Sequence, residues 1–511
     1  MSFWRALEQG AERWPDQLFL TGSLGGDLSR AQLLQRAARS AAALRDWGVR
    51  RGDRVALTAA PSPELVTLQW ALSAVGAIQV PLNPVLRGPL RLDLLRDTSP
   101  RLVAVDAAGY AALIEDLRAL PDAPAILLLG EAGAVMPPPA HEWREAMAFE
   151  PRVAEAMAEH EPLAILFTSG TTGRSKGVLL SHRWGVDYCR RATHAMGIEE
   201  GDRHYGFLPQ FHIAGQYAHV ASAALAGASV ALCEPFRADD FWSQTAKWQC
   251  TAAVLLSSMA GVLRQASAPR RSSLRKLHIV PLPPDFKELA ARLDCRISTN
   301  YGSTEASVAL INRQPRDHRS CGVLADGYEA RIVDEWDDEL PDGTAGELVL
   351  RPARPWTVMS EYWGRPEATN AVWRNGWLHT GDVFVRRHDG QFEFIDRGKD
   401  AIRRKGENIS SYEVEMLACL HPQVDECAAV GIDAGDGEQE LAVFYSCRTG
   451  PAVSEPAMLR HLQAVAPRFM VPRFLRQMPS LPRTQTGKVQ KAALRSNGVA
   501  GLWDRKAAAQ E

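Results

Sequence analysis

The sequence predicts an α/β protein with a large N-terminal domain of parallel or mixed sheets covered by helices and a small C-terminal α+β domain. Helix-like and strand-like segments alternate up to about residue 125, as they do in parallel sheets with helices on both faces. Strands and turns predominate over residues 321–396, and strands alternate with helices again toward the C-terminus. We therefore expect an N-terminal domain over 1–396, which includes a β-rich subdomain over 321–396, and a C-terminal domain over 401–511.

The composition is that of an ordinary folded protein. The 511 residues carry 58 basic and 60 acidic side chains, a net charge of −2, and 46% of them are hydrophobic. This balance excludes a disordered or fibrous chain and gives no overall attraction to nucleic acid, so we expect no nucleic-acid partner. The eight cysteines form no Cys-x-x-Cys pair, which is typical of reduced thiols in a cytoplasmic protein.

The sequence predicts neither a membrane span nor a secretory signal. Residues 65–86 and 204–233 lack charged side chains, but both stretches contain Pro, Gln and Gly, which favours buried elements with turns over a membrane helix. The N-terminus has no basic segment followed by an apolar stretch. We therefore expect a cytoplasmic protein without a membrane span.

Local signals predict the first elements. Arg30–Trp47 has apolar residues at helical spacing, and Pro63–Val75 begins with a proline, which is favoured in the first turn of a helix. Arg54–Thr58 and Ala77–Pro81 are expected to be strands. The acidic run within residues 137–161 is interpreted as a solvated surface helix.

A hairpin and a further group of elements are predicted nearer the C-terminus. Asp389-Gly390 is a turn signal between the stretches Val383–Arg387 and Gln391–Ile395. Ser410–Glu413 has the pattern of a capping box that opens a helix. Other strands are expected at Cys427–Ile432 and Leu441–Tyr445, and another helix at Ser454–Val465.

A loop rich in glycine and hydroxyl groups joins two predicted strands, Leu163–Phe167 and Val178–Leu180. Its glycines permit positive φ and close backbone approach, while the amides, the hydroxyls and Lys176 supply donors for an anion. The spacing is not that of the Walker A motif, and the loop leads into a strand rather than a helix. The pattern predicts a phosphate cradle, with a polar surface loop as the alternative. The candidate residues are Thr168, Ser169, Gly170, Thr171, Thr172, Gly173 and Lys176.

The loop over residues 168–177 resembles the signature loop of the adenylate-forming superfamily, which contains acyl-CoA synthetases, adenylation domains of peptide synthetases and luciferases. Further motifs of the superfamily follow in order along nearly the whole chain. The resemblance implies ATP as a substrate, a large N-terminal domain, a mobile C-terminal domain and a hinge between them over 397–400.

Tyr301-Gly302-Ser303-Thr304-Glu305 is similar to the family's aromatic-Gly-x-Thr-Glu motif, which binds the nucleotide. The resemblance implies that Tyr301 stacks on adenine, that Thr304 contacts the α-phosphate and that Glu305 holds Mg²⁺. The chemistry agrees, because Mg²⁺ prefers a carboxylate together with phosphate oxygens and an aromatic ring offers a stacking face. From the residues alone, a glycine turn before a helix is the alternative.

Two further motifs imply contacts with the nucleoside. His379–Asp382 resembles the family's Thr-Gly-Asp motif, in which the aspartate accepts hydrogen bonds from the ribose hydroxyls. An ordinary turn aspartate is the alternative for Asp382. Arg397 matches the arginine that contacts ribose and phosphate, and Phe394 matches an apolar residue that lies against the nucleoside.

The remaining motifs belong to the mobile domain that the resemblance implies. Within Arg397–Asn408, Lys399 takes the pivot position and Gly406 the position that lines the pantetheine tunnel of relatives, with a basic surface loop as the alternative. Pro482–Lys488 matches a C-terminal motif that ends in the catalytic lysine, Lys488. An ammonium there would stabilise charge while the carboxylate attacks the α-phosphorus and pyrophosphate leaves.

The acyl site is implied by Leu208–Gly215, which matches a Phe-His motif of the family and makes His212 a candidate catalytic residue. Amino-acid-activating relatives place Asp at this position, so the resemblance argues against an α-amino acid. Leu277–Pro284 departs from the Gly-Gly-Ala-Pro of many relatives and resembles the crotonobetaine/carnitine-CoA ligase branch.

The expected protein is an AMP-forming acid–thiol ligase. It uses ATP and Mg²⁺ to activate a small-molecule carboxylic acid as acyl-AMP and transfers the acyl group to coenzyme A. Two alternatives stay open: loading of a carrier-protein phosphopantetheine, and a pseudo-enzyme that binds nucleotide without turnover. A homodimer is also left open.

Overall fold

The computed structural model describes most of the chain. The described residues are 1–120, 122–130, 140–152, 154–168, 175–265, 272–397, 402–404, 407–409, 411–433, 439–448, 452–466, 468–483 and 488–508. The strands are β1 Leu18–Thr21, β2 Leu28–Ser29, β3 Arg54–Thr58, β4 Ile78–Pro81, β5 Leu102–Asp106, β6 Ala125–Leu129, β7 Ala140–Glu142, β8 Pro162–Thr168, β9 Lys176–Ser181, β10 Arg203–Gly206, β11 Ser229–Leu232, β12 Ala252–Leu256, β13 Lys276–Val280, β14 Arg296–Ser303, β15 Ser307–Asn312, β16 Ser320–Leu324, β17 Tyr328–Val333, β18 Ala345–Pro352, β19 Glu361–Tyr362, β20 Trp373–Arg374, β21 Trp377–Arg386, β22 Phe392–Arg397, β23 Ile402–Arg404, β24 Glu407–Ile409, β25 Val424–Asp433, β26 Gln439–Cys447, β27 Phe474–Gln477 and β28 Trp503–Asp504. The α-helices are α1 Phe3–Arg13, α2 Arg30–Asp46, α3 Pro63–Val75, α4 Gly88–Thr98, α5 Ala107–Leu117, α6 Trp143–Ala146, α7 His182–Met196, α8 Ser222–Ala226, α9 Ala238–Lys247, α10 Ser257–Gln265, α11 Phe286–Leu293, α12 Pro366–Val372, α13 Ser411–Cys419, α14 Glu455–Val465, α15 Lys491–Ser496 and α16 Arg505–Ala508. A π-helix covers Ala214–Ala221, and a 3₁₀-helix covers Arg468–Met470.

The chain divides into two compact units. The first comprises Met1–Thr168, Lys176–Glu329 and Leu350–Leu378. The second comprises, among the described residues, Ser175, Ala330–Val349 and those from His379 onward. The domain bounds drawn from the sequence stay predictions.

The first unit contains two sheets of mainly parallel strands. One has the strand order β19-β9-β8-β4-β3-β5-β6-β7, and its strands run parallel from β8 to β7. The other follows β16-β15-β14-β13-β12-β10-β11-β1-β2 within this unit, with parallel pairs from β14 to β1. Val103 and Ile165 lie in the buried core on the first of these sheets. The predicted parallel sheets are confirmed, and β3 and α3 have the predicted bounds.

Helix α3 illustrates how local residues set the ends of an element. The Ser62 hydroxyl caps its N-terminus, Pro63 occupies the first turn, and Gly76 ends it with a φ of 74°. Its side chains are buried on every face apart from Glu64, which explains why residues 65–75 carry no charge. None of the helices in the described ranges is both long and apolar enough to cross a membrane.

The solvated helix expected within residues 137–161 is wrong for the described part of that run. Ala140–Glu142 form β7, which pairs in parallel with β6 at the edge of the sheet, and α6 covers only Trp143–Ala146. The edge of a sheet offers unpaired backbone groups, so pairing there competes with helix formation. This contact is long-range and leaves no periodic signal in the segment itself.

The second unit contains the predicted hairpin and the predicted C-terminal strands and helices. Strands β21 and β22 pair antiparallel, with Asp382 opposite Arg397. A further sheet has the order β25-β26-β27-β28, and its core with α13 and α14 includes Val443 and Leu462. Ser410, the predicted cap of α13, lies outside the described residues.

All eight cysteines lie in the described ranges, and all are free thiols. Cys189, Cys233, Cys250, Cys295 and Cys427 are buried. Burial raises the pKa of Cys189 and the pKa of Cys250 to about 12, so both stay protonated at neutral pH. The predicted lack of a disulfide frame agrees with these free thiols, but Cys321, Cys419 and Cys447 are only partly buried.

Candidate active site

A β-hairpin fixes the ends of the glycine-rich loop. Strands β8 and β9 pair antiparallel, and Thr168 at the end of β8 lies opposite Lys176 at the start of β9. The two strands predicted beside the loop are therefore confirmed. The remaining residues predicted to bind phosphate lie outside the described residues: Ser169, Gly170, Thr171, Thr172 and Gly173.

Glu305 lies in the turn between β14 and β15. Its Oε1 accepts hydrogen bonds from Thr168 Oγ1 at 3.3 Å and from the Tyr362 hydroxyl at 3.0 Å. Its backbone carbonyl accepts a hydrogen bond from the Met359 amide at 2.8 Å. The carboxylate that is predicted to hold Mg²⁺ is thus held against one end of the predicted phosphate loop.

Tyr362 belongs to the same cluster, although no motif predicts it. It lies on the short strand β19, opposite Val178 of β9. The Lys176 ammonium is 4.8 Å from the centre of its ring, which is a cation–π distance. Burial and the Glu305 carboxylate raise the pKa of the Tyr362 hydroxyl, so this group stays a neutral donor. Its place depends on strand pairing with β9, for which the local sequence contains no pattern.

This arrangement suits a magnesium–phosphate site. A carboxylate, an ammonium and two hydroxyls lie together at the ends of the loop, and Mg²⁺ typically takes one or two carboxylates with phosphate oxygens and water. Within the described ranges, no cluster of three or more His, Cys, Asp or Glu side chains could hold a metal by itself. The residues at the ends of the loop fit an ion that binds together with phosphate.

The hairpin of β14 and β15 places the other predicted nucleotide contacts beside Glu305. Tyr301 is partly exposed, Thr304 is buried, and Ser303 Oγ accepts a hydrogen bond from the backbone three residues on at 3.0 Å. Strand β14 runs to Ser303 and turns directly into β15. The alternative of a glycine turn before a helix is therefore wrong.

Gly302 is required by this hairpin itself. A Cβ at this position would lie 2.3 Å from the Ser307 carbonyl oxygen, so the two strands approach too closely for any side chain. The register of the pair also shifts between Tyr301 and Gly302. The glycine of the motif therefore has a structural role that is independent of the nucleotide.

The segment that departs from the family pattern forms a strand with a buried histidine. Strand β13 pairs in parallel with β14, and His278 hydrogen-bonds with Ser298 through Nδ1 at 2.9 Å and with Asn300 through Nε2 at 2.5 Å. Burial lowers the pKa of His278 to about 4, so its imidazole is neutral at physiological pH. This imidazole therefore hydrogen-bonds to Asn300, the residue that precedes the predicted adenine platform Tyr301 in strand β14.

His212 is exposed in a turn before the π-helix Ala214–Ala221. Its Nδ1 accepts a hydrogen bond from the Ala214 amide at 3.2 Å. His204 of β10 and His219 of the π-helix are in contrast fully buried, with ring centres 5.6 Å apart. Of these three imidazoles, the one predicted from the motif is therefore the one that solvent and a substrate can reach.

Asp382 is buried on β21 of the second unit, within a strand rather than in a turn. The Thr380 hydroxyl donates to the Leu348 carbonyl at 2.7 Å and accepts from the Asp382 amide at 3.2 Å. The Gly381 amide donates to Glu347 Oε1 at 2.9 Å. These contacts fix the backbone that leads into the predicted ribose-binding carboxylate.

Strand β22 carries two more of the predicted nucleoside contacts. Phe394 meets Phe384 and Tyr412 edge to face, with ring centres 5.4 and 5.8 Å apart. The backbone register places Arg397 opposite Asp382. The predicted pivot Lys399 and the predicted tunnel residue Gly406 lie outside the described residues.

Lys488 is exposed in the second unit. Near it, Arg483 forms a β-bridge with Val489, and the Gln490 amide donates a hydrogen bond to the Pro482 carbonyl at 2.7 Å. The predicted catalytic lysine therefore lies beside these paired residues, where solvent can reach it.

Two family models match the chain. The model of AMP-binding enzymes matches residues 7–363, and the model of the AMP-binding enzyme C-terminal domain matches residues 413–488. The chain belongs to the AMP-binding enzyme family. The membership predicted from the order of the motifs is confirmed.

The named relatives of this AMP-binding enzyme include CoA ligases. A crotonobetaine/carnitine-CoA ligase of Salmonella agona (strain SL483) is 31% identical over 483 residues, which cover 91% of this chain and 93% of the relative. The ATP-bound structure of MatB from Rhodopseudomonas palustris has a TM-score of 0.84 at 25% identity and covers 97% of this chain and 99% of that chain. A benzoate CoA ligase from Burkholderia xenovorans LB400 shares the fold, with a TM-score of 0.85 at 23% identity and coverage of 97% and 100%.

These similarities confirm the predicted fold class and the predicted resemblance to the carnitine-CoA ligase branch. The predicted enzyme class, an acyl-CoA synthetase, is confirmed by the match to AMP-binding enzymes and by the crotonobetaine/carnitine-CoA ligase relative. In the first unit of this AMP-binding enzyme, the fold brings Thr168, Lys176 and Glu305 together. In the second unit, Asp382 shares a strand register with Arg397. The individual roles of these residues stay predictions.

Proposed function

We propose that this AMP-binding enzyme is an ATP- and Mg²⁺-dependent acid–thiol ligase that produces an acyl-CoA, AMP and pyrophosphate. The observation that carries the proposal is the cluster of Glu305, Thr168 and Lys176 at the ends of the glycine-rich loop. A carboxylate, a hydroxyl and an ammonium in one place suit a triphosphate with its metal ion. The names of the relatives support the same class, because these proteins are CoA ligases.

The first half-reaction joins the acid to AMP. A carboxylate oxygen attacks the α-phosphorus of ATP, and the bond between this phosphorus and the bridging oxygen of pyrophosphate breaks. Lys176 and Thr168 bind the triphosphate, and Glu305 would hold Mg²⁺, which would supply positive charge against the leaving pyrophosphate. Tyr301 stacks on adenine and Thr304 contacts the α-phosphate, as the family motif implies.

The second unit supplies the other nucleotide contacts in this proposal. Asp382 accepts hydrogen bonds from the ribose hydroxyls, and Arg397 and Phe394 contact the nucleoside and phosphate. Lys488 stabilises negative charge at the α-phosphate while the carboxylate oxygen attacks and the pyrophosphate oxygen leaves. Each of these roles rests on the motif that the residue matches.

The second half-reaction forms the thioester. The sulfur of coenzyme A attacks the acyl carbon, the bond from this carbon to the AMP oxygen breaks, and the thiol proton passes to solvent. In the mechanism that the motifs imply, rotation about Lys399 withdraws Lys488 and brings Gly406 to the pantetheine.

We infer that the acid is small and polar. His212 stands where amino-acid-activating relatives use Asp, and its exposed imidazole offers a hydrogen bond rather than a negative charge for a substrate ammonium. One relative is named for crotonobetaine and carnitine, which supports quaternary-ammonium acids as candidates.

Carboxylate-dependent exchange of labelled pyrophosphate into ATP tests the first half-reaction. We expect exchange with at least one acid from a panel of short aliphatic, aromatic, hydroxy and quaternary-ammonium acids, and release of AMP with an acyl-CoA when coenzyme A is added. Acyl transfer to a phosphopantetheinylated carrier protein but not to coenzyme A would favour the carrier-protein alternative. Nucleotide binding without exchange for any acid would favour the pseudo-enzyme and contradict the proposal.

Two finer expectations accompany this function. Free thiols support a reducing compartment such as the cytoplasm, which cell fractionation would test. The homodimer stays a prediction, which size-exclusion chromatography with light scattering would test.

A further inference from the structure

Acidic residues tether both ends of the segment that carries Lys488. At one end, Arg483 pairs with Glu426 of β25, and the Leu481 amide hydrogen-bonds to the same carboxylate at 3.5 Å. At the other end, the Lys491 ammonium at the start of α15 lies 2.7 Å from Glu415 Oε1 of α13. The described residues on either side of Lys488, Arg483 and Lys491, therefore each pair with a carboxylate of the same unit.

The second tether belongs to a cluster of hydrogen bonds in the second unit. The Lys491 ammonium donates to Ser411 Oγ at 2.5 Å, and this hydroxyl donates to Asp396 Oδ1 at 3.1 Å. The Ser411 amide donates to Asp396 Oδ2 at 2.6 Å, and the Ala429 amide donates to Glu415 Oε1 at 2.8 Å. Asp396 is 3% exposed and Ser411 is fully buried. The cluster joins α15, α13 and β25 to the last residues of β22.

Hydrophobic packing alone does not account for this cluster. Burying charged groups costs desolvation free energy, and apolar residues of similar volume often give equal or greater stability. The hydrogen bond and the ion pair made by the Lys491 ammonium instead hold the start of α15 against α13. Lys488 lies three residues before Lys491 in the sequence. Asp396 immediately precedes the predicted hinge over 397–400. The cluster thus links the two segments on which the proposed two-step mechanism depends.

We propose that Lys491 is a positioning residue that, through Glu415, Ser411 and Asp396, holds the Lys488 segment in the geometry required for adenylation. This inference rests on the proposed function, in which Lys488 acts only in the first half-reaction. A displacement of about 1 Å at a catalytic group can cost about a hundredfold in rate. Loss of the tether therefore impairs adenylation and spares thioester formation.

The test compares Lys491→Met, Lys491→Arg and the matched control Lys506→Met. Lys506 also pairs with a glutamate of the second unit, Glu440 at 3.5 Å, but its side chain is 54% exposed. We expect Lys491→Met to lower pyrophosphate exchange by about tenfold to a hundredfold and to keep thioester formation from supplied acyl-AMP within about threefold of the unsubstituted enzyme. Lys491→Arg should restore most of the exchange, and Lys506→Met should change neither half-reaction.

Equal losses in both half-reactions, or unchanged exchange in a folded Lys491→Met enzyme, would overturn the inference. If Lys491→Met does not fold, Ser411→Ala removes only the hydroxyl bridge to Asp396 and leaves the Glu415 pair, and the same split between half-reactions is expected.

Hydrogen–deuterium exchange over residues 481–495 separates this inference from the proposed function. Faster exchange there in Lys491→Met than in Lys506→Met is expected even if no acid substrate is found. Equal protection of this segment in the two variants would overturn the inference whatever the catalytic activity.

Discussion

Thr168 Oγ1 donates a hydrogen bond of 3.3 Å to Glu305 Oε1 across 137 positions of sequence. The hydroxyl belongs to the strand that enters the glycine-rich loop, and the carboxylate belongs to the turn of a hairpin in the other sheet of the first unit. Two motifs that are separate in the sequence are therefore one site in space. This contact supports assignment of both motifs to the same triphosphate.

Replacement of Glu305 should impair adenylation through loss of the metal ligand. We expect Glu305→Gln to lower pyrophosphate exchange by about a hundredfold or more, because one group that offsets charge in the transition state is typically worth that much. Tyr362→Phe is the matched control, since it removes a hydrogen bond to Glu305 and keeps the ring that faces Lys176. The Mg²⁺ concentration that gives half-maximal exchange should rise only for Glu305→Gln. An equal rise in both variants would contradict the metal assignment.

Removal of the Lys488 ammonium should separate the two half-reactions. We expect Lys488→Ala to lower pyrophosphate exchange by at least about a hundredfold and to spare thioester formation from supplied acyl-AMP. Lys506→Ala, at another exposed lysine of the second unit, should leave both rates unchanged. Similar decreases in the rates of pyrophosphate exchange and thioester formation for Lys488→Ala would argue against the role assigned to Lys488.

A side chain at position 406 should have the converse effect. In the proposed mechanism Gly406 lines the path of the pantetheine, so Gly406→Leu should obstruct thioester formation and retain pyrophosphate exchange. The measurement is the rate of acyl-CoA formation from supplied acyl-AMP at saturating coenzyme A. Normal thioester formation in a folded Gly406→Leu enzyme would show that the tunnel lies elsewhere.

A methyl group at position 302 should destabilise the hairpin of β14 and β15. The added Cβ would lie 2.3 Å from the Ser307 carbonyl oxygen, and overpacking of this kind typically costs about 2 kcal/mol. Gly26→Ala is the matched control, because no atom lies within 4 Å of its added Cβ. Urea unfolding should show a lower midpoint for Gly302→Ala only, and an unchanged midpoint would mean that the hairpin relaxes without cost.

Buried imidazoles should make the protein less stable in acid. Burial lowers the pKa of His182, of His204 and of His278 to about 4, from an ordinary value of 6.5. Between about pH 6.5 and about pH 4, these imidazoles are protonated in the unfolded chain but stay neutral in the folded chain. The free energy of unfolding therefore decreases as pH falls across this window. Above about pH 6.5 these groups are neutral in both states and contribute no pH dependence.

His204→Leu should make the free energy of unfolding less dependent on pH, because it removes one imidazole with a lowered pKa. The replacement breaks no hydrogen bond, since neither ring nitrogen of His204 has a partner among the described residues. Urea unfolding at about pH 7.5 and about pH 5 gives the slope. His160→Leu, at an exposed histidine, should leave the slope unchanged. The same slope in both variants would show that His204 does not titrate as its burial implies.

Elements with local signals could be predicted closely from the sequence. Pro63 and Gly76 mark the two ends of α3, and Asp389-Gly390 marks the turn between β21 and β22. The motifs also predict Thr168, Lys176 and Glu305 as site residues without any information on their proximity. In these cases the information lies within a few residues, or in a motif whose meaning the family supplies.

Long-range contacts account for what could not be predicted. Tyr362 enters the site only because a two-residue strand pairs with β9, and Ala140–Glu142 become a strand only because β6 has a free edge. The cluster around Lys491 likewise joins Asp396 and Glu415, which are far apart in the chain. The sequence of each of these segments contains no periodicity or turn signal from which its contact partner could be predicted.

The buried thiols of Cys189 and Cys250 should react slowly with thiol-directed labels. Maleimides react with thiolates, and the pKa of about 12 at Cys189 and at Cys250 leaves almost no thiolate there at neutral pH. New cysteines at the exposed positions Val85 in the first unit and Val499 in the second should therefore react before these two. A donor and an acceptor dye could then be attached at these two positions, and the proposed rotation between adenylation and thioester formation could be tested as a change in energy transfer in single molecules.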